Sequence, residues 1–168
     1  METEVFKGKI FRVTVENITP TLRYERVYQR NGVTVFPITE YDRIRFIKKT
    51  DPESRTTIIV PMSGYVEDGE EPLACAKREL AEELGLSAEL WTPFTTAASV
   101  GGVKKIQYFF VARRLRLAEK RGNPDPNENI TGTVDLTYKE VRTKILAGEF
   151  DCAGSEIAFA LLKFVLDK

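Results

Sequence analysis

The chain contains no histidine among its 168 residues. This absence excludes histidine-based catalytic triads, histidine zinc ligands and histidine proton shuttles. Any acid–base chemistry must therefore be carried by carboxylates, lysines, tyrosines or a water molecule activated by a metal ion.

Cysteine is scarce as well, and the two cysteines, Cys75 and Cys152, lie far apart in the chain. This spacing indicates neither a disulfide framework nor a zinc site. We expect two small thiols that are buried or half-buried.

The chain also lacks an excess of charge, since 25 basic residues balance 25 acidic residues. It therefore has no overall field that would favour nucleic acid or an anionic membrane surface. No apolar run approaches the length of a membrane span, and the N-terminal residues lack the apolar core of a secretion signal. We expect a cytoplasmic protein with neither a membrane nor a nucleic-acid partner.

The length predicts one domain over residues 1–168, with residues 1–30 as a small β arm and 31–168 as the core. Two β-branched or aromatic runs at 33–38 and 43–48 are separated by a short polar stretch, which predicts a hairpin.

Two long strands are predicted at 88–99 and 104–115, and a helix at 71–84 with Gly85 as its C-cap. A further helix is expected after Thr137, a good N-cap residue, and a last one after Ser155. Together the elements predict an α/β fold with a mixed sheet and helices on its faces.

The segment 64–86 carries an unusual concentration of negative charge around one arginine, Arg78. Its glutamates stand at fixed distances: Glu70, Glu79, Glu82 and Glu83. The last three are spaced i, i+3 and i+4, so they share one face of the predicted helix. Such crowding is costly unless a cation neutralises it, which predicts a divalent-metal site. The alternative is a solvated acidic helix face, the usual outcome of a charge run.

The segment resembles the signature of the Nudix hydrolase family, G-x5-E-x7-R-E-U-x-E-E-x-G-U, in which U is a bulky aliphatic residue. All nine positions match, with both spacers at the right length: Gly64, Glu70, Arg78, Glu79, Leu80, Glu82, Glu83, Gly85 and Leu86. The resemblance implies an α/β/α sandwich with a mixed central sheet, and hydrolysis of a diphosphate linkage with Mg²⁺ or Mn²⁺ as cofactor.

The resemblance also implies a role for each matched residue. Glu79 and Glu83 would be the main metal ligands, Glu82 a further ligand or outer-sphere group, and the main-chain carbonyl of Ser63 would complete the coordination. Arg78 and Glu70 would support the site, with Arg78 holding a neighbouring carboxylate through a bidentate pair. Gly64 would let the backbone approach the metal closely.

The flanking sequence is similar to the ADP-ribose and nucleoside-diphosphate-sugar pyrophosphatase branch of the family. By that match, the acidic loop at 125–130 supplies Glu128 as a candidate base, with a surface glutamate as the alternative reading. The turn at 99–105 departs from the branch because Val100 replaces its proline, and its Gly101, Gly102 and Lys104 are expected to contact substrate.

A second departure concerns the arginine that grips the diphosphate in the branch, which is either absent here or replaced by Lys48 or Lys49. The implied substrate is a small nucleotide, ADP-ribose or a nucleotide sugar, and the implied assembly is a homodimer exchanging the N-terminal arm. The alternatives are a nucleoside triphosphate pyrophosphohydrolase and a non-catalytic nucleotide-binding sensor.

Overall fold

A computed structural model describes residues 1–99, 101–119, 129–148 and 155–166. Within these residues the strands are β1 (Glu2–Lys7), β2 (Phe11–Thr19), β3 (Leu22–Gln29), β4 (Gly32–Pro37), β5 (Ile44–Thr50), β6 (Thr57–Val60), β7 (Met62–Tyr65), β8 (Leu86–Ala98), β9 (Val103–Lys104), β10 (Ile106–Leu117) and β11 (Ile130–Leu136). The helices are α1 (Pro72–Leu84), α2 (Tyr138–Leu146) and α3 (Ser155–Leu166). None of these helices is long and apolar enough to cross a membrane.

The first three strands pair antiparallel with one another in a sheet separate from the central one, which confirms the strands predicted in residues 1–30. We call this sheet, in the order β1-β2-β3-β9, the arm sheet. Its last strand, β9, belongs to the connection between β8 and β10 and pairs in parallel with β3 through Val27 and Val103. One edge strand of the arm sheet therefore comes from a distant part of the sequence.

The central sheet has the order β7-β4-β10-β8 and is mixed, as predicted. Strand β4 pairs in parallel with β10 and antiparallel with β7, and it is buried along its whole length. The predicted pair of long strands is also confirmed, because β8 and β10 run antiparallel over most of their length.

The predicted hairpin of 33–38 and 43–48 is wrong. Strand β5 lies in a third sheet, in the order β11-β5-β6, and among the described residues the only β-bridge between the two segments joins Ile44 to Ile38, the residue after β4. Both edges of β4 are already occupied by β7 and β10, so β5 pairs with β11 and β6 instead.

The core lies on both faces of the central sheet, because successive side chains of a strand point to opposite faces. Val33 and Val35 of β4 pack in the cluster that contains Ala76 and Leu80 of α1. Phe36, on the opposite face, packs in the cluster that contains residues of α2 and α3. The sheet is thus covered by α1 on one face and by α2 and α3 on the other, which confirms the predicted α/β/α layering.

Candidate active site

Helix α1 carries the glutamates predicted to form the site. It begins after Glu71, which makes no side-chain cap, and ends at Gly85, whose φ of 64° is the left-handed conformation that glycine adopts readily. Glu79 and Glu83 lie one turn apart and are only 7% and 8% exposed. A buried carboxylate is stable only when hydrogen bonds or an opposite charge offset its lost hydration, so the groups around Glu79 and Glu83 determine the chemistry of the site.

Gly64 on β7 lies directly against Glu79. The pairing of Gly64 with Val33 of β4 turns this position towards α1. A Cβ atom built on Gly64 would collide with the carboxylate carbon and Oε1 of Glu79. A residue without a side chain is therefore required for the strand and the carboxylate to approach this closely.

Arg78 links the carboxylates of the segment to one another. Its Nε and Nη2 donate to Oε1 and Oε2 of Glu70 over 3.0 and 3.1 Å, which confirms the predicted bidentate pair. Its Nη1 donates to Glu79 Oε1 over 2.8 Å and to Glu82 Oε2 over 2.9 Å. One guanidinium thus neutralises part of the charge that the sequence concentrates here.

The same contacts shift the pKa values of both partners of the bidentate pair. Hydrogen bonding to Arg78 lowers the pKa of Glu70 below its ordinary value, and hydrogen bonding to Glu70 raises the pKa of Arg78. Both groups therefore stay charged around neutral pH, so Arg78 keeps its positive charge beside Glu79 and Glu82 there.

Glu83 lines a small cavity of about 70 Å³ together with Ser63 and Lys49. The cavity also touches Ile157 of α3 and Ile130 of β11, so it lies where three layers meet. Lys48, which points to the other face of β5, does not line it. This volume suits water-sized groups and is smaller than a nucleotide.

The donors in this region suit a hard divalent cation. Glu79 and Glu83 offer carboxylate oxygens, and the close approach of Gly64 brings the main chain of β7 alongside them, which is the oxygen chemistry that Mg²⁺ and Mn²⁺ prefer. In the described part of the chain, however, no three acidic, cysteine or histidine side chains converge as a ready-made metal cluster. Instead, Arg78 donates hydrogen bonds to both Glu79 and Glu82.

The glycine turn predicted to contact substrate lies elsewhere, at the edge of the arm sheet. The carbonyl of Gly102 accepts from Val27 N over 2.7 Å, and Lys104 pairs with Tyr28. Gly101 and its neighbours do not line the cavity that holds Glu83. Glu128, Val100 and Cys152 lie outside the described residues.

Cys75 is a buried residue of α1, as the sequence analysis expected of a small structural thiol. Burial raises the pKa of its thiol to about 12. Its Sγ donates to the carbonyl of Tyr65 and accepts from Arg78 Nη2, so it packs behind the glutamates as an inert neighbour.

Two buried polar residues near the site were missed by the sequence analysis. Thr34 of β4 and Gln107 of β10 are fully or almost fully buried and lie in hydrogen-bonding contact with each other, and Thr34 also contacts Ser63. The only sequence signal was Gly32, because a glycine within a strand often marks a close approach. A Cβ there would collide with the amide of Gln107.

Comparison with known proteins agrees with this geometry. The family model described as the NUDIX domain matches residues 28–147, which include α1, β7 and all the glutamates on the helix. The chain belongs to the Nudix family.

Two curated relatives resemble this Nudix chain over most of its length. An ADP-ribose pyrophosphatase from Bacillus subtilis (strain 168) is 31% identical over 131 residues, covering 74% of this chain and 70% of the relative. A methanol dehydrogenase activator from Bacillus methanolicus is 27% identical over 143 residues, covering 82% and 76%.

A solved structure described as an ADP compounds hydrolase superposes with a TM-score of 0.74 at 19% identity, covering 99% of this chain and 90% of its own. This likeness establishes the Nudix fold. The family match and the first relative identify the chain as a Nudix hydrolase.

Proposed function

We propose that this Nudix hydrolase cleaves the diphosphate linkage of ADP-ribose or a nucleotide sugar in a Mg²⁺-dependent reaction. The products are a nucleoside monophosphate and a sugar phosphate. The observation that carries the proposal is the apposition of Gly64 and Glu79, organised by Arg78, within a complete family motif. The 31% identity to an ADP-ribose pyrophosphatase supports the choice of substrate class.

The glutamates would hold the cation, and Arg78 would orient them. Glu79, Glu83, Glu82 and the Ser63 carbonyl are the proposed ligands. When bound, Mg²⁺ or Mn²⁺ neutralises charge on the diphosphate oxygens and favours ionisation of water. Arg78, anchored by Glu70, fixes the carboxylate of Glu79 before substrate arrives.

Water attacks one phosphorus, a new P–O bond forms, and the bond to the bridging oxygen breaks with its electron pair. A carboxylate accepts the proton of the attacking water, and the candidates are Glu82, Glu83 and Glu128. In this proposal the water-sized cavity beside Glu83 is where that water is held.

Lys49 is the proposed partner of the substrate diphosphate. It lines the cavity beside Glu83, whereas Lys48 points to the other face of β5. Its ammonium supplies a point charge without the fork of an arginine. Lys49→Ala should therefore raise KM for the substrate more than Lys48→Ala does. Weaker contacts with the substrate are proposed for Gly64, Gly101, Gly102 and Lys104.

The decisive experiment incubates the protein with Mg²⁺ and a panel containing ADP-ribose, several nucleotide sugars and nucleoside triphosphates, and identifies the products by mass. Glu83→Gln should lower turnover at least about 100-fold, because a ligand or base is lost while the shape is kept. Glu89→Gln is the matched control, since Glu89 pairs with Arg116 at the surface. Equal turnover in the two variants would exclude the proposed role of Glu83.

The same panel separates the alternatives. A triphosphate pyrophosphohydrolase would release pyrophosphate from nucleoside triphosphates and leave ADP-ribose intact. A non-catalytic nucleotide-binding sensor is the other candidate, and we include it because one relative is named as an activator of methanol dehydrogenase. It predicts saturable nucleotide binding by calorimetry and no product with any divalent metal.

The proposal includes a homodimer built through the arm sheet, which is cytoplasmic in keeping with the sequence analysis. The arm sheet leaves large apolar side chains exposed, among them Val5, Phe6, Ile18 and Leu22. Burying such side chains is a common reason for association. Light scattering should report the mass of two chains, and deletion of residues 1–7 should shift it towards one.

A further inference from the structure

A directional chain of hydrogen bonds crosses the central sheet from β10 to β7. Gln107 Nε2 donates to Thr34 Oγ1 over 3.0 Å, and Thr34 Oγ1 lies 3.1 Å from Ser63 Oγ. The Ser63 hydroxyl donates to the Pro61 carbonyl over 3.3 Å. Each hydroxyl has one proton, so Ser63 must accept from Thr34, which in turn accepts from Gln107. We call Gln107, Thr34 and Ser63 the polar chain.

The polar chain is embedded in an apolar face of the sheet. Thr34 is 0% and Gln107 4% exposed, and both share that face with Phe36 and Phe109. Buried polar groups are tolerated only when hydrogen-bonded, and a valine of similar shape would fill the place of Thr34 without needing a partner. Gly32 leaves room for the amide of Gln107 beside Thr34, because a Cβ at this position would displace that amide.

The end of the polar chain coincides with the strand that faces the glutamates. Strand β7 has four residues, lies at the edge of the central sheet and pairs only with β4 among the described strands. Gly64 faces Glu79 on the α1 side, and the side chain of the preceding Ser63 points to the opposite face. The polar chain therefore ties β7 to β4 and β10 from the face opposite α1.

We propose that Thr34 and Gln107 are positioning residues that hold the main chain of Ser63 and Gly64 at the spacing from Glu79 that a divalent cation requires. This inference rests on the proposed function, in which the Ser63 carbonyl and Glu79 are ligands. A short edge strand held by main-chain bonds alone could slide or tilt, and the side-chain links across three strands restrain both movements.

The test measures Mn²⁺ binding to the full chain by electron paramagnetic resonance and calorimetry, alongside turnover as a function of Mn²⁺. Thr34→Val should raise the Mn²⁺ Kd about 10- to 100-fold, as expected when a group that orients metal ligands is lost. The activation curve should shift by the same factor, and KM for the substrate at saturating Mn²⁺ should change less. Thr34→Ser, which keeps the hydroxyl, should restore most of the Mn²⁺ affinity.

Val35→Ala is the matched control for loss of packing. Val35 is on the same strand but points to the other face, so its truncation lowers the melting temperature and leaves the polar chain intact. Gln107→Leu is a second variant for the Mn²⁺-binding measurement if Thr34→Val does not fold, because it removes the first hydrogen-bond donor and keeps the Thr34 hydroxyl. It should raise the Mn²⁺ Kd about 3- to 10-fold.

The outcomes separate this inference from the proposed function. Wild-type Mn²⁺ affinity in Thr34→Val and Gln107→Leu, or an equal shift in Val35→Ala, overturns the positioning role and leaves the proposed function standing. A wild-type protein that neither binds Mn²⁺ nor cleaves any diphosphate overturns both.

Discussion

Helix α2 begins with a reciprocal cap, whereas helix α1 begins with none. The hydroxyl of Thr137 accepts from Glu140 N over 3.2 Å, and Glu140 Oε2 accepts from Thr137 N over 2.8 Å. Helix α1 has no acidic residue in its first turn and no basic residue in its last. Its charged residues lie in the middle and second half of the helix, around Arg78.

The difference shows two uses of the same side-chain chemistry. In α2 the carboxylate satisfies the helix's own backbone, so it stabilises the element that carries it. In α1 the carboxylates face a neighbouring strand and an arginine, and the helix relies on the packing of Ala76 and Leu80 and on Gly85. Changes in α1 should therefore act on turnover, and changes in α2 on stability alone.

The largest effect is expected for Gly64→Ala, opposite α1. The new Cβ would displace the carboxylate of Glu79, and a misplacement of about 1 Å in a catalytic site lowers turnover about 100-fold. Steady-state kinetics with Mg²⁺ and ADP-ribose measure it. Gly132→Ala is the control because nothing lies within 4 Å of a Cβ at that position. Similar losses in both variants would contradict the comparison.

Arg78→Lys should lower turnover about 10-fold and the free energy of unfolding by about 1–3 kcal/mol, because an ammonium cannot replace the forked contacts to Glu70, Glu79 and Glu82. Arg45→Lys removes the bidentate pair between Arg45 of β5 and Asp135 of β11, and neither residue lines the cavity beside Glu83. It should lower stability and keep wild-type turnover. Urea unfolding and kinetics on both variants decide whether Arg78 acts on the site or only on the fold.

Thr137→Ala tests the other side of the comparison. Loss of the cap should lower the free energy of unfolding by about 1 kcal/mol and the melting temperature by about 2–4 °C. Turnover should stay at the wild-type value, and Thr137→Ser should recover the stability. A kinetic defect in Thr137→Ala would show that α2 contributes to the site after all.

The smallest effect concerns the pH dependence of the same cap. Hydrogen bonds from Thr137 lower the pKa of Glu140 below its ordinary value of 4.5. A carboxyl with a lowered pKa in the folded state stabilises fully above its unfolded pKa and loses that contribution as the pH falls through its folded pKa. The stability difference between wild type and Glu140→Gln should therefore shrink as the pH falls below 4.5. A difference that stays constant from pH 6 to pH 3 would contradict this assignment.

Local features of this fold were readable from the sequence. The bounds of α1, its closure at Gly85 and the pairing of Arg78 with Glu70 depend on residues within a few turns of one another. The cap of α2 at Thr137 is local in the same sense. Residue type, short-range spacing and the family resemblance were sufficient for these features because they involve no pairing between distant segments.

Features that join distant segments were not readable. Val33 was expected to lie in a hairpin, but β4 pairs with β10, whose residues come more than seventy positions later. The contact of Gly102 with β3 was not predicted either, because these two segments lie far apart in the sequence. Gln107 and Thr34 look like ordinary strand residues until the register between β4 and β10 brings them together.

Because β9 pairs in parallel with β3, the arm sheet is built from two separate segments of the chain and is not an independent N-terminal unit. Val103 and Lys104 belong to the link between the two longest strands, so each hydrogen bond that they form with β3 also restrains that link. A chain shortened past residue 29 would lose the partner of β9 and gain an unpaired edge next to β10. Grafting this arm onto another Nudix core would therefore require the transfer of two separate pieces of sequence.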